Sequence, residues 1–348
     1  MTKLGVIFGG QSSEYSVSLH SVSSFLKQIH KEKYELYLMG VSQDGHFYLY
    51  NGSYEDIEHD KWLNKDTCIP CSFIKGGIIL LDFSFKRIAL DCVFPVVHGK
   101  NGEDGTLQGL LEVNNIHYVG CNTLSSSMCM DKEITHILCE RTDIPCAKYI
   151  CLKENDIKTV EDIKKLFPLP WLVKPCNAGS SYGVTKVNNE SEFDNAIKEA
   201  FKYDGRGKIL VEEFIEGREL GCAVLGNKEI TVGSIDEIDT KKELFDFAAK
   251  YEMDKTEIHC PARISDKEFK TAQELARKVY ITMNCSGFAR VDMFIKKDGS
   301  IILNEVNTIP GLTSTSRYPT MMKQIGIEFP DLIDKLVELA EENSIGNI

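Results

Sequence analysis

Lys174-Pro-Cys-Asn-Ala-Gly-Ser-Ser-Tyr-Gly183 is a strand end running into a loop of small residues. Trp171 to Pro175 reads as a short apolar strand and Val184 to Val187 as a second one, so the loop joins two strands. Gly179 and Gly183 let backbone N–H groups approach phosphate oxygens closely, and Lys174 adds a point charge. No Gly-Lys-Ser/Thr opens a helix here, and the G-x-G-x-x-G spacing is missing, so this is neither a Walker A loop nor a dinucleotide fingerprint. Taken alone, a plain hairpin connection stays open as well.

Downstream, a helix from Ser191 to Lys202 and a strand from Ile209 to Phe214 complete a small α+β unit. Its last strand ends in Glu212-Glu213-Phe-Ile-Glu-Gly-Arg-Glu219. Such an acid and the backbone after it can meet an adenine edge and a ribose; a solvated acidic run is the other reading. Beyond lie expected strands at Leu220 to Leu225, Ile230 to Ile235, Gly287 to Ile295 and Ile301 to Glu305, with helices at Asp266 to Met283 and Phe329 to Glu342. Within this part, Arg290-Val291-Asp292 precedes Asn304-Glu305-Val306-Asn307. Residues two apart share a strand face, so Arg290 goes with Asp292 and Glu305 with Asn307. A hairpin through Lys297 to Ser300 would gather two carboxylates and a carboxamide, hard oxygen ligands suited to Mg²⁺. Solvent-facing strand residues around an ordinary Asp298-Gly299 turn would read the same way.

Upstream, Leu4 to Phe8 is a strand ending in Gly9-Gly10, followed by helical spacing over Val17 to Ile29. With strands at Tyr34 to Val41 and Cys92 to Val97, the first ~120 residues read as an α/β unit with a parallel sheet, whose strand ends are where such sheets bind ligands. Gly9-Gly10-Gln-Ser-Ser-Glu14 places a carboxylate where it can hold an ammonium group or simply start a helix. His98-Gly-Lys-Asn-Gly-Glu-Asp-Gly-Thr106 is another glycine-rich strand-end loop, in which His98 is a substrate-orienting or a structural residue. A helix-like stretch from Asn122 to Glu140 carries Asp131-Lys132. The expected units are 1–121, 122–213 and 214–348.

The chain has 348 residues, 43% apolar and 26% charged, enough for more than one core. Its 52 acidic and 40 basic residues give a net charge of -12, which argues against a nucleic-acid surface. No signal peptide opens it and no apolar run reaches the ~20 residues of a membrane span. A cytoplasmic protein with reduced thiols among its 12 cysteines is expected. Cys68-x-x-Cys71 lacks a second pair at zinc spacing and receives no role.

Together these segments resemble the D-alanine:D-alanine ligase family over essentially the whole chain. The resemblance rests on VIFGGQSSEYSVS (Val6 to Ser18), VFPVVHGKNGEDGTLQG (Val93 to Gly109), KPCNAGSSYGV (Lys174 to Val184), KYEM (Lys250 to Met253), GFARVDMF (Gly287 to Phe294) and NEVNTIPGLTSTSRYP (Asn304 to Pro319). It implies an ATP-grasp fold, α/β and α+β, preceded by a Rossmann-like domain. It also implies a reaction in which ATP phosphorylates the carboxylate of D-alanine and the amine of a second D-amino acid attacks the acylphosphate. By motif position, Lys132, Lys174, Ser181 and Lys250 are implied to contact ATP phosphates, Glu212, Ile215 and Glu219 adenine and ribose, and Asp292, Glu305 and Asn307 two Mg²⁺ ions, with Mn²⁺ as a substitute. Glu14 is implied to hold the first D-alanine ammonium, with His98 near its carboxylate. Arg290 and the Gly311 N–H match the oxyanion-stabilising pair, and Ser316 the second carboxylate. Glu14, Ser180 and Tyr251 match a trio fastening a closing loop, about Ile235 to Lys255. The family implies a homodimer.

Thr315 stands where members commonly carry His. The Lys250-Tyr251 pair resembles ligases that make amides rather than esters. Arg317 after Ser316 is similar to VanG-type D-alanine:D-serine ligases of vancomycin resistance, which makes D-serine the expected second substrate and D-alanine the alternative. Another ATP-grasp ligase would lack the VIFGG and HGKNGEDG loops. A non-catalytic relative would have lost Arg290 or a metal carboxylate, and a periplasmic binding protein would need an export signal.

Overall fold

The computed structural model describes residues 1–154, 156, 160–240 and 256–342. Its first sheet comprises Thr2–Gly9 (β1), Tyr34–Val41 (β2), Phe47–Tyr50 (β3), Cys68–Ile74 (β4), Gly77–Leu80 (β5), Arg87–Ala89 (β6), Cys92–Val96 (β7) and His117–Tyr118 (β8), in the order β6-β5-β4-β3-β2-β1-β7-β8. Only β2-β1-β7-β8 is parallel. The parallel sheet expected from sequence is therefore a mixed one, extended by an antiparallel meander. The meander escaped the reading because its strands are short and mostly half-exposed, without the continuous apolar run that makes β1 stand out. Leu4 through Phe8, by contrast, are all buried, as central parallel strands must be.

The helix Tyr15–Gln28 packs on β1. The helix Phe329–Glu342, at the far end of the chain, rests on β7 and β8 of the same sheet. There Asp334 accepts hydrogen bonds from Lys33 Nζ and Tyr34 Oη, both 2.6 Å.

The second sheet holds Tyr149–Lys153 (β9), Trp171–Pro175 (β10), Thr185–Val187 (β11) and Lys208–Glu213 (β12), ordered β11-β10-β12-β9 and antiparallel throughout. Trp171, Val173, Ile209 and Val211 form its core with Phe193 and Ala196 from the helix Phe193–Tyr203. The strand β9, with one buried position, carries no apolar run that would mark it in the sequence.

The third sheet is Gly217–Gly226 (β13), Ile230–Thr240 (β14), Thr256–His259 (β15), Phe288–Lys296 (β16) and Ile301–Asn307 (β17), ordered β15-β14-β13-β16-β17. It is covered by the helix Asp266–Thr282, whose Ser265 and Glu268 form a capping box and whose Ala272, Leu275, Ala276 and Val279 make the buried stripe. β14 continues five residues past the expected end at Ile235, so Ile235 to Thr240 belong to a strand and not to a loop. Asp236 and Glu237, whose charges hid this strand in the sequence, are each paired with arginine.

The stretch from Asn122 to Glu140 is two helices, Thr123–Met130 and Lys132–Arg141. Asp131 is extended between them, and its carboxylate accepts from the Ile134 N–H as the cap of the second. Lys132 thereby becomes the first residue of a helix that starts beside the 174–183 loop, where its Nζ donates to the Ala178 carbonyl at 2.9 Å.

Candidate active site

A cleft of about 1290 Å³ opens between the second and third sheets. Lys132, Lys174, Ser181, Glu212, Ile215 and Glu219 line it, as does Glu305. Six of the seven residues singled out for ATP are thus brought together; Lys250, and Tyr251 beside it, lie outside the described residues.

Lys174 on β10 and Glu212 on β12 are diagonal neighbours, because Leu172 pairs with Glu212 and Lys174 with Leu210. Their side chains meet at 2.8 Å. The second Glu212 oxygen meets His136 Nε2, also at 2.8 Å. Burial alone would push the Glu212 carboxyl up, but Lys174 and then His136 outweigh it and hold it down at about 2. Glu212, the expected adenine contact, also holds the Lys174 ammonium. His136 was not foreseen; no motif marks it.

The loop after Lys174 holds Ser180 and Ser181 in left-handed conformations, φ 49° and 58°. This costs non-glycine residues roughly 1–2 kcal/mol each and persists where the surroundings demand it. The demand at Ser180 is Glu14, whose Oε1 accepts from the Ser180 hydroxyl. Glu14 is 7% exposed, so it is no solvated helix-start acid. His98 is equally enclosed, with Nε2 3.2 Å from Ser21 Oγ, and burial lowers its pKa, favouring the neutral ring. Glu103, which the sequence reading passed over although it lies in the same loop, accepts from the Gly99 N–H at 2.6 Å. Burial and then Glu14 push it up to about 8. The chain at Gly99 runs so near Glu14 that a Cβ there would lie 2.4 Å from its Oε2.

On the third sheet Arg290 pairs with Asn307 and Asp292 with Glu305, with a bulge after Asp292. The predicted hairpin through Lys297 to Ser300 closes the pair, Lys296 N donating to Ser300 O at 2.9 Å. Arg290 clamps Asp292 with Nε at 2.8 Å and Nη2 at 2.7 Å, and Asn307 Nδ2 donates to Asp292 at 2.8 Å. Lys132 Nζ is 4.0 Å from Glu305. Two carboxylates and an amide oxygen at one spot, already balanced by cations, are a donor set that fits Mg²⁺.

Ser316 Oγ lies next to Gly311, where a Cβ would meet it at 3.0 Å, and accepts from Thr313 N at 3.1 Å. Thr315 is exposed. Arg317 is mostly enclosed. Its side chain is 9% exposed, and Nε and Nη2 close on Asp236 at 2.8 Å each, with Glu219 at 3.3 Å and Asp292 at 3.5 Å. A Cβ on Gly221 would lie 2.2 Å from that guanidinium. Asp236 is a site residue the sequence could have offered only through a partner 81 positions away.

The models for the D-ala D-ala ligase N-terminus and C-terminus match residues 3–121 and 138–338. The chain belongs to the D-alanine–D-alanine ligase family. It is 39% identical over 346 residues to the vancomycin C-type resistance protein VanC1 of Enterococcus gallinarum, covering 99% of both chains. It is 41% identical to the D-alanine–D-alanine ligase of Caldicellulosiruptor bescii, over 99% of this chain and 97% of that one. The crystal structure of the VanG D-Ala:D-Ser ligase from Enterococcus faecalis superposes with a TM-score of 0.90 at 43% identity, over 97% of this chain and 99% of that one. The fold is therefore the ATP-grasp fold of this ligase family, and the mixed first sheet is its N-terminal part. Among the described residues no helix is long and apolar enough to cross a membrane.

Proposed function

We propose that this protein is a cytoplasmic, ATP-dependent ligase that joins D-alanine to D-serine through D-alanyl phosphate, supplying altered peptidoglycan termini of the kind that confer vancomycin resistance. The observation that carries the D-serine reading is Arg317, directly after Ser316 and held in place by Asp236. A guanidinium held in one orientation beside Ser316 can offer a directed N–H to a seryl hydroxyl, which a methyl group would not use. The likeness to the VanG structure supports the same reading.

In this mechanism ATP occupies the cleft between the two sheets, its adenine against the Ile215 backbone and Glu212 and its ribose against Glu219. Lys132, Lys174 and the Ser181 loop meet the phosphates, and Glu212 keeps Lys174 aimed. Asp292, Glu305 and Asn307 would hold two Mg²⁺ ions, which supply neutralisation of phosphate charge. Glu14 holds the first D-alanine ammonium, and His98, uncharged, sits by its carboxylate. The second amine attacks the acylphosphate while Arg290 and the Gly311 N–H stabilise the developing oxyanion. Ser316 takes the carboxylate of the second amino acid. Lys250 would add a phosphate contact, and Tyr251 would join Glu14 and Ser180 when the site closes and excludes water.

The second reading, a housekeeping D-alanine:D-alanine ligase, is favoured by the 41% identity to the C. bescii enzyme. Incubation with ATP, Mg²⁺ and equimolar D-alanine and D-serine separates the two. A dominant D-alanyl-D-serine mass supports the proposal, and D-alanyl-D-alanine alone supports the second reading.

A further inference from the structure

Asp131, Asp204 and Lys208 stand behind the 174–183 loop and do not line the cleft. Asp204 follows the helix Phe193–Tyr203 and is buried. One of its oxygens accepts from the Asn177 N–H at 2.8 Å and from Asn177 Nδ2 at 3.2 Å. The other accepts from the N–H groups of Arg206 and Lys208, at 2.9 and 2.8 Å. Gly207, at φ 67°, lets the chain curl around that oxygen. Each of these bonds is charge-assisted, so the buried carboxylate is a firm link between the first turn of the loop and the start of β12.

Lys208 carries the link onward. Its carbonyl accepts from Cys176 N at 3.1 Å, and its ammonium lies 3.0 and 2.7 Å from the two Asp131 oxygens and 2.8 Å from Glu133. Asp131 caps the helix that begins at Lys132. Lys132 in turn gives its N–H to the Cys176 carbonyl at 3.1 Å and its Nζ to that of Ala178. Residues 176, 177 and 178 are thus each gripped from outside the loop, by β12, by Asp204 or by Lys132.

Asp131 and Glu133 also flank Lys132 with two negative charges at a helix N-terminus. Anions stabilise that end of a helix. Left uncompensated, they would draw on the Lys132 ammonium and repel a phosphate brought to it. Lys208, with its side chain 17% exposed, offsets them from outside the cleft. Burial disfavours its charge, yet the bonds to Asp131 and Glu133 prevail and raise its pKa. Glu133, against its own burial, is lowered by the same contact.

We infer that Asp204 and Lys208 are positioning residues for the ATP phosphates: Asp204 sets the course of the phosphate loop, and Lys208 keeps Lys132 free of its acidic neighbours. Neither touches the nucleotide. The inference rests on the proposed placement of the phosphates against Lys132, Lys174 and the Ser181 loop. A ligand that uses the adenine end alone is indifferent to both residues, whereas a merely structural role would weaken every ligand of the cleft alike.

Calorimetric titration of the full chain with ATP and Mg²⁺, and separately with adenosine, tells these apart. Lys208→Met and Asp204→Asn are each expected to weaken ATP about tenfold, the scale of one charge-assisted hydrogen bond, and to leave adenosine within about twofold. Lys208→Arg, which keeps the charge, is expected to recover the affinity for ATP. Unchanged ATP affinity in either variant, a parallel loss of adenosine, or an arginine variant as weak as the methionine one would overturn the inference. Should Lys208→Met fail to fold, Asp204→Asn, which keeps the shape of the side chain, decides by the same two ligands. A wild type that bound ATP no more tightly than adenosine would instead remove the phosphates from the cleft, and the ligase reading and this inference with them.

Discussion

The Arg317 guanidinium and the Asp236 carboxylate, 81 residues apart, close two hydrogen bonds of 2.8 Å inside the third sheet's site. Gly221 makes room for them, since any side chain there would begin 2.2 Å from Arg317 Nη2. Removing Asp236 takes away both 2.8 Å hydrogen bonds and leaves the guanidinium only the longer contacts to Glu219 and Asp292. Asp236→Ala is expected to lower the thermal midpoint and to erase preference for D-serine in product mass spectra. Gly221→Ala, which displaces the pair without removing either charge, is expected to cost about 1–3 kcal/mol by overpacking and to shift product the same way. Retained D-serine preference in both variants would show that Arg317 does not read the second substrate.

Glu14 and Ser180 join the first sheet's loop to the loop after β10 across 166 positions of sequence. Glu14→Gln keeps an acceptor for Ser180 but loses the charge for an ammonium. Steady-state kinetics should give a KM for the first D-alanine raised by at least about tenfold, as for a lost charged hydrogen bond. The KM for ATP should hardly move. A rise confined to ATP would contradict the assignment of Glu14.

Asp292 is expected to be indispensable. Asp292→Asn should reduce phosphate release by at least about 100-fold, in keeping with loss of charge stabilisation in a closed site. Chelation of the wild type should do the same and Mg²⁺ should reverse it. Undiminished turnover in EDTA would remove Asp292, Glu305 and Asn307 from their metal role.

The pH dependence of stability follows from Glu212 and His136. Glu212 is depressed to about 2, so its contribution is present above the ordinary carboxylate range and is lost as pH falls toward 2. His136 is raised to about 9, so its contribution is whole below the ordinary imidazole value and is lost as pH rises through 9. Thermal midpoints should therefore decline on both sides of a plateau spanning mildly acidic pH. Glu212→Gln should flatten the acid limb and, by removing a partner of His136, shorten the alkaline one. An unchanged acid limb would count against the pairing.

What could be read from sequence tracks how locally each feature is encoded. β10 and the helix Phe329–Glu342 were delimited to the residue because apolar runs and periodicity end abruptly there. Asp292, Asn307 and Glu305 were gathered by simple strand alternation and a short hairpin, and β16 and β17 do bring them together. The β3 to β6 meander carries no such pattern. Lys174 with Glu212, and Arg317 with Asp236, depend on which strands become neighbours, which side-chain spacing alone does not encode. Glu103 was visible in its motif, but its raised pKa arises from burial beside Glu14, which only the folded chain creates.

Activation of the D-alanine carboxylate is the central step of the proposed reaction, and oxygen tracing tests it most directly. D-alanine labelled with ¹⁸O in its carboxylate, incubated with the enzyme, ATP, Mg²⁺ and D-serine, should deliver one labelled oxygen to each inorganic phosphate released, together with a dipeptide. Phosphate carrying no label, or released without any D-alanyl product, would contradict the acylphosphate mechanism.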